Sequence, residues 1–414
     1  MAVLSRTINW LKGVWNFGKY LTIRILKKLL PEPVKKVVRV ILSLGGRKII
    51  TQNQDLLRQI LQANQTGKNY RTIIIFPPSL DWDVQLFQRP QQLALALAKK
   101  GALVFYSQPK PDRKKPPFQL IEERLFLCNV HVDTFRILPS PWIYLLTWNS
   151  DYASCYNKPQ VLYDFVDDIN VFYGDQRRIA QGHQNLLQNS ALVLATARKL
   201  FEEASLHRPD VILSPNGVVY EHFAPATHSE YVEPPEEIRP MLEKSKPIIG
   251  YYGALARWFD YQLLKDLARL RPEYEFVLIG PDYDGTLKHT DMLETPNIHW
   301  LGVVPYKELP RYLEFFDVAT IPFIVNEITH ATSPLKLFEY MAAEKPVVIT
   351  PMRESMQYPC VLVGENANVF AEKIDLALHL RSDPSYLTQL RQTAIENTWE
   401  QRAEQILRAV EEKH

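Results

Sequence analysis

Residues 331–351 read Ala-Thr-Ser-Pro-Leu-Lys-Leu-Phe-Glu-Tyr-Met-Ala-Ala-Glu-Lys-Pro-Val-Val-Ile-Thr-Pro. The stretch predicts a small polar turn, a helix and a buried strand. Thr332 and Ser333 are N-cap residue types, and Pro334 suits the first helical position. Leu337, Phe338 and Met341 keep helical spacing, and 346–349 is a short apolar run before Pro351. A helix start offers unpaired backbone N–H groups and a partial positive charge, which suit a phosphate. Lys336 adds a full charge there, and Glu339, one turn on, is spaced to accept hydrogen bonds from a sugar diol. Together these groups suit a nucleoside-diphosphate sugar better than a purely structural helix feeding a core strand.

Around this stretch, apolar runs alternate with helical patterns. In the first half strands are expected at 71–76, 102–106, 124–128, 135–138, 142–147, 160–166, 191–195 and 211–214, with helices at 86–100, 175–189 and 197–206. Residues 224–246, rich in Pro and acids, read as a linker. A second series follows, with strands at 247–253, 275–280, 297–301, 317–321 and 346–349 and helices at 260–270, 306–315, 334–343, 370–381 and 384–412. This alternation predicts an α/β chain of two doubly wound, Rossmann-like domains. A length of 414 residues agrees with two domains. No Gly-x-Gly-x-x-Gly follows a strand, which argues against a nicotinamide-linked dehydrogenase.

Other segments carry chemistry. Tyr251-Tyr-Gly-Ala-Leu-Ala-Arg257-Trp-Phe-Asp260 follows a strand and opens a helix. Gly253 permits close backbone approach, and Arg257 is a bidentate partner for a diphosphate. Tyr163-Asp-Phe-Val-Asp167-Asp168 ends a first-domain strand, so its tip faces the cleft by the strand-end rule. Asp167 is a candidate catalytic carboxylate, and Asp168 a candidate acceptor contact or merely a cap. Trp82 and Arg89, at a strand-to-helix loop, are candidate cleft residues, or equally a packed ring and a helix-start cation. Asn216-Gly217 is a turn signal.

The helix at 334–343, with its Ser333-Pro-Leu-Lys-Leu start and Glu339-Tyr340, resembles the nucleotide-binding helix of retaining glycosyltransferases of the glycosyltransferase-B fold, especially the family-4 group (group 1 glycosyl transferases). The resemblance spans about 71–412 and is strongest over 214–351. It implies two domains facing a cleft, Gly253, Arg257, Thr332, Ser333, Pro334, Leu335, Lys336 and Glu339 around the donor, and Arg257 and Lys336 on its phosphates. It also implies no cofactor and no metal, although Asp167 and Asp168 could pair on Mg²⁺. The last helix is implied to return to the first domain. Two departures stand out: Ala331 occupies a position where many relatives carry a first Glu, and Glu344 follows the helix where Gly is usual.

The chain's net charge of +2 is uneven. Residues 1–50 hold eleven Lys or Arg against one acid, Glu32, a net of +10 that leaves −8 for the rest. These cations interleave with Trp10, Trp15, Phe17 and many aliphatics over 4–45, as in two amphipathic helices broken near Pro31 and Pro33. No uncharged run is long enough to span a membrane, and cations interrupt every candidate signal-peptide core. Basic, Trp-bearing helices suit an anionic membrane surface better than nucleic acid. Cys128, Cys155 and Cys360 show neither disulfide nor zinc spacing, in keeping with a reducing compartment.

The expectation is thus a basic amphipathic membrane-associating extension and tether (1–70), an acceptor domain (71–223), a linker (224–246), a nucleotide-sugar domain (247–383) and a returning C-terminal helix (384–414). The activity expected is sugar transfer from a nucleoside-diphosphate sugar to a membrane-associated, lipid-linked or glycan acceptor, with retention. It would take place in the cytoplasm, on the inner face of the cytoplasmic membrane, through residues 1–45. An epimerase or hydrolase of the same fold, or a non-catalytic membrane-attached subunit, is the alternative.

Overall fold

The computed structural model describes residues 32–65, 70–84, 86–112, 114–172, 174–225 and 233–413. The basic segment 1–31, and with it most of the expected membrane-associating extension, lies outside them. Two compact units divide between Gln62 and Ala63. The first is the helix α1, Glu32–Gln65, 34 residues long, which runs to the boundary and a few residues past it. Pro33 falls in its first turn, where the missing N–H costs nothing. The sequence suggests a polar tether over 51–70, of which 51–65 are helical. The run Thr51-Gln-Asn-Gln-Asp-Leu-Leu-Arg-Gln-Ile-Leu-Gln-Ala is polar, yet most of its residues are good helix formers with Leu57, Ile60 and Leu61 on one stripe. Among the described residues no helix is long and apolar enough to cross a membrane.

The second unit holds two sheets. In the first, β1 (Ile73–Phe76), α2 (Arg89–Lys99), β2 (Leu103–Ser107), β3 (Phe118–Glu122), β4 (Leu125–Cys128), β5 (Trp142–Leu145), β6 (Gln160–Phe165), α3 (Gln176–Asn189), β7 (Leu192–Ala195), α4 (Arg198–Ser205) and β8 (Val211–Leu213) follow in turn. The strand order is β3-β4-β2-β1-β5-β6-β7-β8, parallel except for β3, an edge strand antiparallel to β4. The expected strand at 135–138 is instead a 3₁₀ helix, Val132–Ile137. Its apolar residues Val132, Phe135 and Leu138 recur every third position, the 3₁₀ period rather than alternation.

The second sheet contains β9 (Ile248–Tyr252), α5 (Tyr261–Leu270), β10 (Glu275–Ile279), β11 (Ile298–Trp300), β12 (Val318–Ile321), α6 (Leu335–Ala342), β13 (Val347–Ile349), β14 (Val361–Val363) and α7 (Ala367–Leu380). Its order is β11-β10-β9-β12-β13-β14, all parallel. The strand order reverses direction between β1 and β5 in one sheet and between β9 and β12 in the other. In such sheets ligands sit beyond the strand C-termini at these switch points.

The segment between the sheets is not all linker, since Ile238 and Met241 are buried in the core of the second. The C-terminal helices also divide. In α8 (Pro384–Ile395), Tyr386, Leu390 and Ala394 belong to the second core. In α9 (Trp399–Glu411), Trp399, Ala403, Ile406, Leu407 and Val410 belong to the first. The return to the first domain therefore begins at Trp399 and not at 384. There the chain crosses beside the earlier crossing at 216–218: Val218 donates to the Asn397 carbonyl (3.0 Å) and Trp399 to the Val218 carbonyl (3.1 Å).

Gly217 lets the two crossings touch, because a Cβ on it would stand 2.9 Å from the Thr398 carbonyl carbon. Backbone on both sides leaves no flexible group to yield. Gly217→Ala is expected to destabilise the folded chain by about 1–3 kcal/mol, typical of overpacking. Thermal or urea denaturation checks this, and an unchanged midpoint would show that the crossings can separate freely.

Candidate active site in the cleft between the sheets

The C-terminal strand ends of both sheets open onto one cavity of about 1060 Å³. Its lining includes Asp167 from the first sheet and Gly253, Arg257, Thr332, Ser333, Pro334, Leu335, Lys336 and Glu339 from the second. The residues expected around the donor therefore share one cavity.

The start of α6 is built differently from expectation. Pro334, not Thr332 or Ser333, occupies the N-cap position, and no side chain caps the first amides. The Thr332 hydroxyl turns back to the Ile328 carbonyl (3.0 Å). The Ser333 hydroxyl accepts from the Asn216 backbone N–H (3.2 Å), and the Asn216 side-chain amide donates to the Ser333 carbonyl (2.5 Å). Both cap-type residues tie the turn to its surroundings, and the helix start faces the cavity uncapped. An uncapped start is suited to an anion.

Lys336 rests its ammonium over the rings of Tyr251 (5.2 Å) and Phe323 (5.0 Å). Burial lowers its pKa to about 8, against the attraction of Glu339. Gly253, at φ 137°, makes room for it: a Cβ there would lie 2.6 Å from Lys336 Cε. Glu339 is 4% exposed and accepts from the Tyr252 hydroxyl (2.7 Å). Burial pushes its carboxyl up to about 7, while hydrogen bonds from Tyr252 and Tyr306 and the charge of Lys336 pull it back. Arg257 is exposed on the cavity wall, its backbone N–H donating to Asp284 (3.0 Å).

On the opposite wall, burial, followed by the nearby carboxylates Asp164 and Asp168, raises Asp167 to about 7. Asp168 is placed differently. Its carboxylate accepts from the Asn170 N–H (2.9 Å) as a cap and lies 3.7 Å from Lys199, away from the cavity lining. Trp82 also lies outside that lining, packed edge-on to Phe87 and Tyr106 with ring centroids 5.5 and 5.1 Å apart. Arg89 reaches the lining, but its guanidinium is spent on the protein. It donates to both oxygens of the buried Asp164 (2.6 and 3.1 Å), to the Pro215 carbonyl (3.1 Å) and to Asn216 (3.3 Å). Asp168 thus acts as a cap and Trp82 as a packed ring, while Arg89 lines the cavity with its donors engaged by the protein.

The departures noted in the sequence also have structural outcomes. Ala331 is 1% exposed, and Glu327 is held by Lys199 (2.7 Å), so Glu327 does not replace the missing carboxylate. Glu344 adopts φ 56°, the left-handed conformation usually left to glycine, and accepts from Arg391 (2.7 Å). Sequence reading missed Tyr252, Tyr306 and Asn216, whose partners are far away in the chain. Among the described residues no cluster of His, Cys, Asp and Glu has the form of a metal site.

Residues 246–379 match the sequence family described as "Glycosyl transferases group 1". Over 267 residues the chain is 28% identical to TuaH of Bacillus subtilis (strain 168), a protein named for glycosyl transfer in teichuronic acid biosynthesis. The alignment covers 60% of this chain and 66% of that relative, just under two thirds of its length. Among solved structures, a sucrose-phosphate synthase from Thermosynechococcus elongatus superposes with a TM-score of 0.59 at 18% identity, covering 82% of this chain and 98% of that one. Anabaena HepE, solved with UDP and glucose, gives 0.57 at 15% identity, with 82% and 99% covered. A glycosyltransferase from Rickettsia africae gives 0.61 at 14% identity, with 83% and 99% covered. At these identities the superpositions establish the fold, that of the glycosyltransferase-B class.

A cation held in a buried cleft without a full counter-charge costs stability. Because the pKa of Lys336 is lower in the folded chain, unfolding takes up protons between pH about 8 and 10.5, so this group makes stability rise with pH across that window. Lys336→Met is expected to raise the unfolding midpoint at pH 7 by a few degrees and to flatten that rise. Calorimetry of both proteins at pH 7 and pH 9.5 checks this; a variant less stable than the parent at pH 7 would show that Lys336 is structural.

Proposed function

We propose that this chain, which belongs to the glycosyltransferases of the glycosyltransferase-B fold and carries a group 1 domain at residues 246–379, moves a sugar from a nucleoside-diphosphate donor to a glycan or lipid-linked acceptor. The observation that carries this reading is the meeting of Arg257, Lys336 and the uncapped start of α6 on one cavity wall. As the bond from the sugar to the diphosphate breaks, charge grows on the departing oxygen. Fixed donors that need no rearrangement stabilise that charge best. Glu339 would hold the ribose, and Asp167, across the cleft, would orient the acceptor hydroxyl.

On this reading the charge is met by side chains and helix amides, and we infer that no metal is needed. Transfer with retention, as the family-4 resemblance implies, is part of the same proposal. The buried Ala331 leaves the donor sugar without one carboxylate that relatives use, so the reading is firmer for the nucleotide than for the sugar. Uridine diphosphate is the first nucleotide to test, since a neighbour of this fold holds it. The likeness to a protein named for cell-wall polysaccharide synthesis favours an envelope glycan as acceptor.

The test is donor turnover with UDP-sugars, with and without membrane lipid extract as acceptor, in the presence of a chelator. Acceptor-dependent, chelator-resistant transfer is expected, with Arg257→Ala and Lys336→Ala each weakening nucleotide affinity at least about tenfold. Turnover without acceptor would point to a hydrolase or epimerase, and tight binding without turnover to a non-catalytic subunit. Unchanged nucleotide affinity in both variants would overturn the site.

The membrane part of the proposal rests on the sequence of residues 1–45, whose cations and tryptophans suit an anionic surface. Deleting residues 1–31 is expected to reduce sedimentation with phosphatidylglycerol vesicles severalfold while leaving nucleotide binding intact. Equal sedimentation of both forms would remove the anchor from the proposal.

A further inference from the structure

Glu339 does not stand alone in the cleft. Its carboxylate accepts from the Tyr252 hydroxyl at 2.7 Å, and Tyr306, which lines the same cavity, also favours its charged form. Tyr306 in turn accepts from the side-chain amide of Gln92 (3.0 Å). Gln92 lies on α2 of the first domain and is 2% exposed. A donor of one domain is therefore fixed on a tyrosine of the other that lines the same cavity as the proposed ribose carboxylate.

The ring of Tyr306 has little freedom. His222 stacks on it at 5.0 Å and 29°, and its backbone carbonyl lies 3.3 Å from the same imidazole. Phe87 lies against it at 5.8 Å, and Phe223 meets it edge-on at 5.7 Å. A ring fixed on these sides aims its hydroxyl in one direction. A buried carboxylate held by one fixed hydroxyl, with a second fixed hydroxyl in the same cavity, has its plane restricted and keeps lone pairs for a ligand. Donor chains of this kind polarise one another in a low-dielectric site.

We propose that Tyr252, Tyr306 and Gln92 are positioning residues for ribose recognition: they hold the Glu339 carboxylate in the plane that accepts from a ribose diol. Through Gln92, that orientation depends on the first domain being seated against the second. This deepens the proposed function and rests on Glu339 as the ribose ligand. The consequence is selectivity for ribonucleotide over deoxyribonucleotide donors, set partly by a residue of the domain that does not hold the nucleotide.

The test is the affinity of full-length protein for uridine diphosphate and for its 2′,3′-dideoxy analogue, by calorimetry. The parent is expected to prefer the ribonucleotide. Tyr306→Phe and Tyr252→Phe are expected to weaken it about tenfold, the scale of a hydrogen bond to a charged group, and the dideoxy analogue by less than about twofold. Gln92→Met, which keeps the length of the side chain but not the donor, is expected to weaken the ribonucleotide about threefold, again sparing the analogue. A role in packing alone would weaken both ligands equally and leave the preference unchanged, which would overturn the proposal. A parent protein that binds uridine diphosphate without preferring it to the analogue would instead overturn Glu339 as the ribose ligand. Failure to bind either ligand would defeat the site reading and the positioning proposal together.

Discussion

The buried pair of Arg89 and Asp164 is the interaction on which the cleft depends. Asp164 sits at 0% exposure near the C-terminal end of β6, where it also accepts from the Tyr144 hydroxyl. Arg89 opens α2 and spends its remaining donors on Pro215 and Asn216. Asn216 then clasps Ser333, one residue before the cap of α6. The helix start that faces the cavity is thus hung from a charge pair in the other domain. Such a pair contributes little net stability against an apolar replacement, but losing one member leaves a buried charge without compensation. Its value here is geometric, since it fixes the first sheet, the crossing at 215–217 and the turn before α6 relative to one another.

The same region holds both chain crossings. Because Val218 donates to the Asn397 carbonyl and accepts from the Trp399 N–H, the crossings act as one strap rather than two. Arg402, from α9, donates to the same Pro215 carbonyl as Arg89 (3.0 Å), and burial lowers its pKa to about 10. Relative motion of the domains must therefore bend around this strap. Further interdomain contacts include exposed pairs, Lys199 with Glu327 and Arg353 with Glu202 (2.8 Å), and the buried Glu354 carboxylate, which accepts from the Arg198 N–H (2.8 Å). Exposed pairs are worth little and are easily exchanged for water.

What was legible in the sequence follows from distance along the chain. Lys336, Glu339 and the apolar stripe of α6 lie within one short helix, so helical periodicity alone places them together. Gly253 and Arg257 were legible because a glycine and an arginine after a strand have few other uses. Tyr252, Tyr306 and Gln92 were not, because 248 places a strand and 306 a turn with nothing local to pair them. Their meeting requires the crossovers of both sheets. The role of Arg89 stayed open between cleft residue and helix-start cation for the same reason: the carboxylate that takes up its guanidinium lies 75 residues away. The stretch 51–65 was misread because its polarity was weighed above its helix propensity.

The two ionisable groups at the heart of the site are both held away from their usual charge states, and in opposite directions. Burial lowers Lys336 to about 8 and raises Glu339 to about 7, and each moderates the other. Near neutral pH the cleft therefore carries a poorly solvated cation beside a carboxyl poised between its neutral and charged forms. On the proposed reading a diphosphate would supply Lys336 with a second anionic partner, and a ribose diol would supply the donors that Glu339 can still accept. Each ligand group would relieve the strain of one residue and strengthen the charge state that the other prefers. The unfavourable solvation of the empty site is then the reserve from which binding draws, and a fold-stabilising substitution at either position would have to give up that reserve.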